Sequence, residues 1–211
     1  MKNIVIIGAG DLGKEVVWLI EEINRLEPTY LIMGFLDDDT VKMQTIAHGY
    51  KVMGKIDELK ALDSKTPLCA VVAIQDGGVR RRIVESNKDF GKWESIVHPA
   101  TIVAPSSRLG IGSIVFPHVM VSVDTTLGNF NIYHINSTVC KGCKIGDYVS
   151  VMCGASILEH TEVGDECFLA AGSCIYPHKK LGRKVNVAIE ATVSKDCLDG
   201  AKIREKGSWL F

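Results

Sequence analysis

The sequence predicts an α/β N-terminal half-Rossmann domain over residues 1–97, then a parallel β-helix built from hexapeptide repeats over residues 98–200 and a short tail at 201–211. Three observations carry that prediction. Before His98-Pro99, strand-like and helix-like segments alternate; after it, an apolar residue returns at every sixth position and a glycine at every eighteenth.

The N-terminal elements follow in order. Ile4 to Ile7 is a continuous apolar, β-branched run stopped by Gly8, the signature of a buried parallel strand. Leu12, Val16, Leu19, Ile20 and Ile23 recur at steps of three and four, which predicts a helix with one core-facing stripe. Tyr30 to Leu36 reads as a second strand, Ile56 to Leu62 as a short helix, Cys69 to Ile74 as a third strand and Gly78 to Ser86 as a helix carrying Arg80, Arg81 and Arg82. This βαβ alternation predicts a small parallel sheet flanked by helices, about half of a dinucleotide domain.

From Val103, steps of six land on Leu109, Val115, Val121, Leu127, Tyr133, Val139, Ile145, Val151, Ile157, Val163, Leu169, Ile175, Leu181, Val187 and Val193. Every one is aliphatic or aromatic. At a background apolar frequency of roughly one-half, chance produces such a run about once in tens of thousands of trials, so the repeat is real. Gly110, Gly128, Gly146, Gly164 and Gly182 each follow an apolar step, so three hexapeptides make one coil. A chain wound this way stacks each short strand on its equivalent one coil later and needs one residue per strand to fill the axis. The glycine column marks a corner, either because a Cβ would crowd it or because φ is positive there. Positions two before the axial residue are mostly small (Ser107, Ser137, Cys143, Ala155, Thr161, Cys167), as a tight turn requires. Residues 103–193 predict about five coils and a column roughly 25 Å tall.

Composition excludes several classes. Twenty-four Lys+Arg against 25 Asp+Glu leave a formal charge of −1, with no basic excess for nucleic acid or an anionic membrane. No run of 18 apolar residues exists to span a bilayer, and the four-residue apolar stretch before Gly8 is too short for a signal core. The expected location is cytoplasmic, with the seven cysteines as reduced thiols.

The repeats, joined to Ile6-Ile7-Gly8-Ala9-Gly10-Asp11-Leu12-Gly13-Lys14, Gly34-Phe-Leu-Asp37-Asp38-Asp39, Tyr50-Lys-Val-Met-Gly54, Ala73-Ile-Gln75-Asp76 and Ile96-Val-His-Pro99, resemble the bacterial sugar acyltransferases. That family includes sialic acid O-acetyltransferases and N-acetyltransferases of nucleotide-linked 4-amino sugars. The resemblance implies a left-handed helix, a homotrimer with sites between neighbouring prisms, acetyl-CoA as donor and a nucleotide-linked sugar as acceptor in surface glycan synthesis.

Gly8-x-Gly10-x-x-Gly13 follows a strand, opens a helix and precedes an acidic residue, Asp37, by 24 positions, the conditions for a phosphate-cradling turn. NAD is set aside because no domain for hydride transfer follows; a glycine turn serving only helix packing is the bland alternative. By the resemblance, Gly8, Gly10, Asp11, Gly13, Asp37, Asp38, Gln75 and Asp76 contact the acceptor, although the family commonly has Gly-His where this chain has Asp11-Leu12.

Acyl transfer needs a base and donors for a tetrahedral oxyanion. The family's histidine, four residues before the Ile145-Gly146 corner, is Lys141 here, and a second family histidine matches Ser150. Lys141 is a base only if its pKa falls by several units; Glu159, one coil on, is expected to hold it protonated, which favours an anchoring charge. His134 is the other catalytic candidate, beside the plain reading of an exposed turn histidine. The donor is expected along Gly154, Ala170, Gly172 and Ala188, with Glu190 where a glycine is usual, and the apolar tail ending Trp209-Leu210-Phe211 is expected to pack on a prism.

His160 and His178, eighteen apart on the column of Asp124 and Gly142, are expected to stack ~5 Å apart. Cys140-Lys-Gly-Cys143 has metal-site spacing, but phase turns Cys143 inward and Cys140 outward, and no metal is expected. The reading is an acetyl-CoA-dependent acetyltransferase; the alternative is a catalytically silent trimer that has lost its histidine.

Overall fold

The computed structural model describes residues 1–39, 41 and 46–204. The N-terminal half is a mainly parallel sheet: β1 (Lys2–Ile7), α1 (Asp11–Leu26), β2 (Tyr30–Leu36), β3 (Ile46–Ala47), β4 (Tyr50–Gly54), a 3-10 turn (Ile56–Glu58), α2 (Leu59–Lys65), β5 (Cys69–Val72) and α3 (Gly77–Ser86). The strand order is β3-β4-β2-β1-β5, with only the β3–β4 pair antiparallel. β1 pairs with β2 on one side and β5 on the other, so the chain reverses its direction of travel at β1, where open α/β sheets form a crevice beyond the strand C-termini. β3 and β4 are two strands beyond the expected alternation.

After α3 the chain winds into a left-handed parallel β-helix of two-residue strands in three sheets. One face runs from Ile96–Val97 to Lys202–Ile203 in seven strands, the second from Ile102–Val103 to Thr192–Val193 in six, the third from Arg108–Leu109 to Lys180–Leu181 in five. Six spacings on the tallest face give a column of ~29 Å. Its top strand pairs Asn186 with Lys202, a step of sixteen instead of eighteen, so the last coil is two residues short. Residues 205–211, including the apolar tail, lie outside the described residues.

The axial row is the core of the column: Val115, Tyr133, Val139, Val151, Ile157, Leu169, Ile175 and Val187 are each at most 1% exposed. Several of the small residues two before it also close hydrogen bonds to the coil ahead, while the buried Ser137 and Ser173 hydroxyls have no partner among the described residues. Ser107 Oγ donates to Ser122 O, Thr125 Oγ1 to Cys140 O, Thr161 Oγ1 to Tyr176 O and Cys143 Sγ to Leu158 O. That pairing explains why those four sites carry a polar atom as well as being small. The glycine column resolves between its two expected causes. Gly110, Gly128, Gly146, Gly164 and Gly182 are absent from the positive-φ glycines, and a Cβ on Gly146 would stand 2.4 Å from Asp165 Oδ1. Crowding between coils demands them. Positive φ falls instead three residues after each axial position, mostly on non-glycines such as His118, Asp124, Asn136 and His160.

The three faces differ outside. The first is docked: Ile96, Ile114, Phe116 and Ile132 join one buried cluster with Ile4, Ile6, Val16 and Ile20, so α1 lies between sheet and column. From α3, Arg80 enters the same junction with 1% exposure and donates to the carbonyls of Phe130, Ile74, Gln75, Tyr148 and Val149 and to Ser150 Oγ. Burial draws the guanidinium down to about 10, against the pull of the Asp76 carboxylate, which leaves it charged at neutral pH and held mainly by oxygen dipoles. The third face carries Arg108, Lys144, Glu162 and Lys180 outward. The second presents no charge at all: Ile102, Met120, Thr138, Ser156, Cys174 and Thr192.

Candidate functional site

The residues expected to hold the acceptor separate into two clefts. Gly8, Asp37 and Asp38 line one of about 840 Å³ beyond the C-terminal ends of β1 and β2, facing Lys55, Lys60 and Arg82. Gln75 and Asp76 line another of about 490 Å³ with Ser150, Glu166 and Lys184. Gly10, Asp11 and Gly13 line neither.

Local contacts show what several of these residues do. Asp37 is buried, and its Oδ2 accepts from Ala9 N at 2.8 Å while Oδ1 accepts from Asp39 N, which ties the end of β2 to the glycine turn. A Cβ on Gly13 would lie 2.1 Å from Gly8 O, so this glycine lets α1 approach the turn, as the packing alternative required. Asp11 turns outward, 97% exposed at its side chain, and pairs with Lys14 at 2.8 Å. Asp76 caps α3 by accepting from Val79 N, a standard N-cap bond. A third cleft, about 890 Å³, lies on the charged face among Lys144, Glu162, Lys180 and Asp196 and includes none of the candidate bases.

The two catalytic candidates sit at opposite edges of the uncharged face. Residues 140–143 turn the chain from that face to the charged one, and Lys141 is exposed there. Among the described residues it forms no ion pair, so the expected grip by Glu159 does not occur. His160 and His178 stack on this edge with ring centroids 5.2 Å apart and planes at 17°, both exposed. Cys143 is fully buried, Cys140 lies on the outside, and among the described residues no group of three metal-type side chains converges.

His134 stands at the other edge and is not an exposed turn residue: it retains 6% exposure. Its ring stacks on Phe116 with centroids 4.3 Å apart at 18°. Nε2 is 3.1 Å from Glu15 Oε2 on α1, and Nδ1 is 3.0 Å from Cys153 Sγ one coil up. A carboxylate accepts only, so Nε2 carries a proton; in the neutral imidazole the Nδ1 lone pair then faces the thiol. Gly154, Ala170, Gly172 and Ala188 continue up the same edge. Gly154 and Gly172 have φ of +66° and +67° and are exposed, and a Cβ on Gly154 would meet nothing within 4 Å. Glu190 Cγ lies 3.3 Å from where a Gly172 Cβ would be.

Sequence reasoning passed over Glu15 and Cys153. The spacing from His134 to Cys153 is nineteen, one coil plus one residue, a signal available in the repeat; Glu15 comes from the other half of the chain and had none. Ser150, matched to a second family histidine, is 1% exposed and donates to Gln75 O, so it belongs to the junction between the halves.

Residues 3–87 match the family model described as the PglD N-terminal domain, and residues 142–177 match bacterial transferase hexapeptide, six repeats. No curated protein matches. Among solved structures, the acetyltransferase domain of PglB from Neisseria gonorrhoeae FA1090 is 28% identical, with 96% of each chain covered and a TM-score of 0.87. Its complex with acetyl coenzyme A aligns at 28% identity over 95% of each chain, TM-score 0.86. PerB from Caulobacter crescentus, in complex with CoA and GDP-perosamine, has the same fold at 24% identity, 98% of each chain and a TM-score of 0.88.

Proposed function

From a chain that fits the sugar acyltransferase family in both halves, we infer an enzyme that transfers an acetyl group from acetyl-CoA to an amino or hydroxyl group of a nucleotide-linked sugar. The observation that carries this reading is the placement of His134, oriented by Glu15, on the edge where exposed glycines leave room for a thioester and its pantetheine arm. The PglB domain, bound to acetyl coenzyme A in one structure, supports the donor; PerB contributes the shared fold.

His134 is the base: it takes a proton as the acceptor is acylated, and Glu15 stabilises the resulting imidazolium. The cleft at Gly8, Asp37 and Asp38 receives the nucleotide, with Lys55, Lys60 and Arg82 supplying positive charge to its phosphates. The assembly is a homotrimer closed on the uncharged face, since a strip of Ile102, Met120, Thr138, Ser156, Cys174 and Thr192 loses little on leaving water. That closure brings one copy's Lys141 edge to the next copy's His134 edge, where Lys141 anchors the acceptor. The reaction runs in the cytoplasm, where nucleotide-linked sugars are made.

The experiment is calorimetric titration with acetyl-CoA, followed by thiol release against a panel of nucleotide-linked amino sugars. Saturable binding and acceptor-dependent release are expected. No heat at millimolar acetyl-CoA overturns the reading and leaves a silent trimer.

A further inference from the structure

A base needs only one free nitrogen and something to orient it, yet His134 has a thiol on the nitrogen that remains. Among the described residues Cys153 alone of the seven cysteines has an imidazole nitrogen for a partner. Cys69, Cys143 and Cys167 are buried with their thiols on backbone carbonyls of Asn3, Leu158 and Gly182. Cys153 is exposed, and the Gly154 that follows it has open space on its outer side. Sulfur, imidazole and carboxylate therefore form a chain at 3.0 Å and 3.1 Å, with Phe116 fixing the ring plane. This is the arrangement of an activated nucleophile: an attacking atom, a base within hydrogen-bond reach and a third group that orients the base.

We propose that Cys153 is a catalytic nucleophile that carries the acetyl group as a thioester between donor and acceptor. The proposal rests on acetyl-CoA being the donor. In the first half-reaction Cys153 Sγ attacks the acetyl carbonyl while its proton passes to His134 Nδ1. The bond to the CoA sulfur breaks, and His134 returns the proton to that sulfur, leaving acetyl-Cys153 and free CoA. In the second, the acceptor nitrogen or oxygen attacks the same carbonyl, gives its proton to His134, and the Cys153 sulfur leaves and recovers it. One thioester is exchanged for another of equal energy, so no oxidant or further reactant enters. Burial and the Glu15 carboxylate push the Cys153 thiol up, against a lowering by its own backbone N–H; the thiol is thus protonated at rest, and its proton must leave in the step that forms the bond. Glu15 acts through His134 and is a positioning residue.

This covalent route also accounts for Lys141. Direct transfer in a family enzyme asks a histidine at that position to deprotonate the acceptor. Here the base is on the opposite edge and already holds a sulfur, so the Lys141 edge is relieved of proton transfer.

The first half-reaction needs no acceptor, and so is measured on the full chain with two reagents, acetyl-CoA and radiolabelled CoA. Label should move into acetyl-CoA, and mass spectrometry of the acid-quenched protein should show one hydroxylamine-labile acetyl group on the peptide containing Cys153. Cys153→Ala should bind acetyl-CoA in the calorimeter yet lose exchange by about 10²-fold or more, while Cys197→Ala, at the far end of the column, exchanges like the wild type. Glu15→Gln should lower the limiting exchange rate about tenfold without changing the acetyl-CoA concentration at half-saturation. If the wild type binds acetyl-CoA and acetylates an amino sugar with no exchange and no adduct, or Cys153→Ala does so equally fast, the covalent route is overturned and the acetyltransferase reading survives. If acetyl-CoA does not bind at all, both fall together.

Discussion

The two edges of the uncharged face share a backbone and differ in what holds their polar side chains. On one, Lys141, His160 and His178 stand in solvent; the two rings stack, and His160 N donates to Lys141 O at 3.0 Å, but no side-chain hydrogen bond or ion pair fixes any of the three among the described residues. On the other, His134 is enclosed by Phe116 from the coil below, Cys153 from the coil above and Glu15 from α1. A side chain that water can reorient contributes charge; one held in a single tautomer and plane contributes proton transfer. The comparison therefore supports the proposed base, which stands on the edge where α1 docks and not on the edge where the resemblance to the family would put it.

The sharpest way to break that comparison is to delete each edge's principal residue. His134→Ala should reduce kcat for acetyl transfer by about 10²–10⁴-fold, the range of a lost general base. Lys141→Ala should raise the acceptor KM by roughly tenfold, about 1.4 kcal/mol, with kcat preserved, as expected when an interaction equal in ground and transition states is removed. Steady-state kinetics decides. If Lys141→Ala takes the larger loss in kcat, the assignment of edges is reversed.

Between those two in size is the clamp that ties α3 and the segment after β5 to the column. Arg80→Leu removes the donor shared by six oxygens in a buried junction, of which Gln75 O and Val149 O keep a second donor in Ser150 Oγ and Ile132 N, and about 3 kcal/mol or more of stability should disappear in urea unfolding. The His134 edge depends on this junction through Glu15, whereas the Lys141 edge is built wholly from repeats. A loss under 1 kcal/mol would mean the apolar cluster and the remaining polar links, Arg81 with Asp165 and Glu166 and Ser150 with Gln75, hold the two halves together without Arg80.

What the sequence disclosed follows the same division. Every sixth residue faces one axis, so the column and its small inward turns are periodic and can be counted. The His160–His178 stack was legible for that reason. Convergences between unlike segments were not. Arg80 reads as one of three consecutive arginines, and nothing in Arg80-Arg81-Arg82 says that the first is swallowed while Arg81 pairs with Asp165. Asp37 reads from the sequence as a contact to the acceptor, and nothing there shows that its carboxylate also accepts from Ala9 N and ties β2 to the glycine turn. The corner glycines were visible, but only coordinates separate crowding from φ, because both select the same residue.

The smallest predicted effects test the comparison most cleanly, because they alter the two edges by the same single methyl group. Gly154 and Gly142 have φ of +66° and +67° at equivalent corners of successive hexapeptide pairs. Alanine at either position incurs the left-handed backbone penalty, roughly 1 kcal/mol, and thermal unfolding should register both. At Gly142 the added Cβ presses on the His160 ring, 2.4 Å from Nδ1, which is exposed and free to rotate away. At Gly154 it meets nothing in the protein and occupies the space assigned to the donor. Gly154→Ala should therefore weaken acetyl-CoA binding severalfold in calorimetry while Gly142→Ala leaves it unchanged. Equal affinities in the two variants would remove the donor from the His134 edge, and with it the reason for a thioester to meet Cys153.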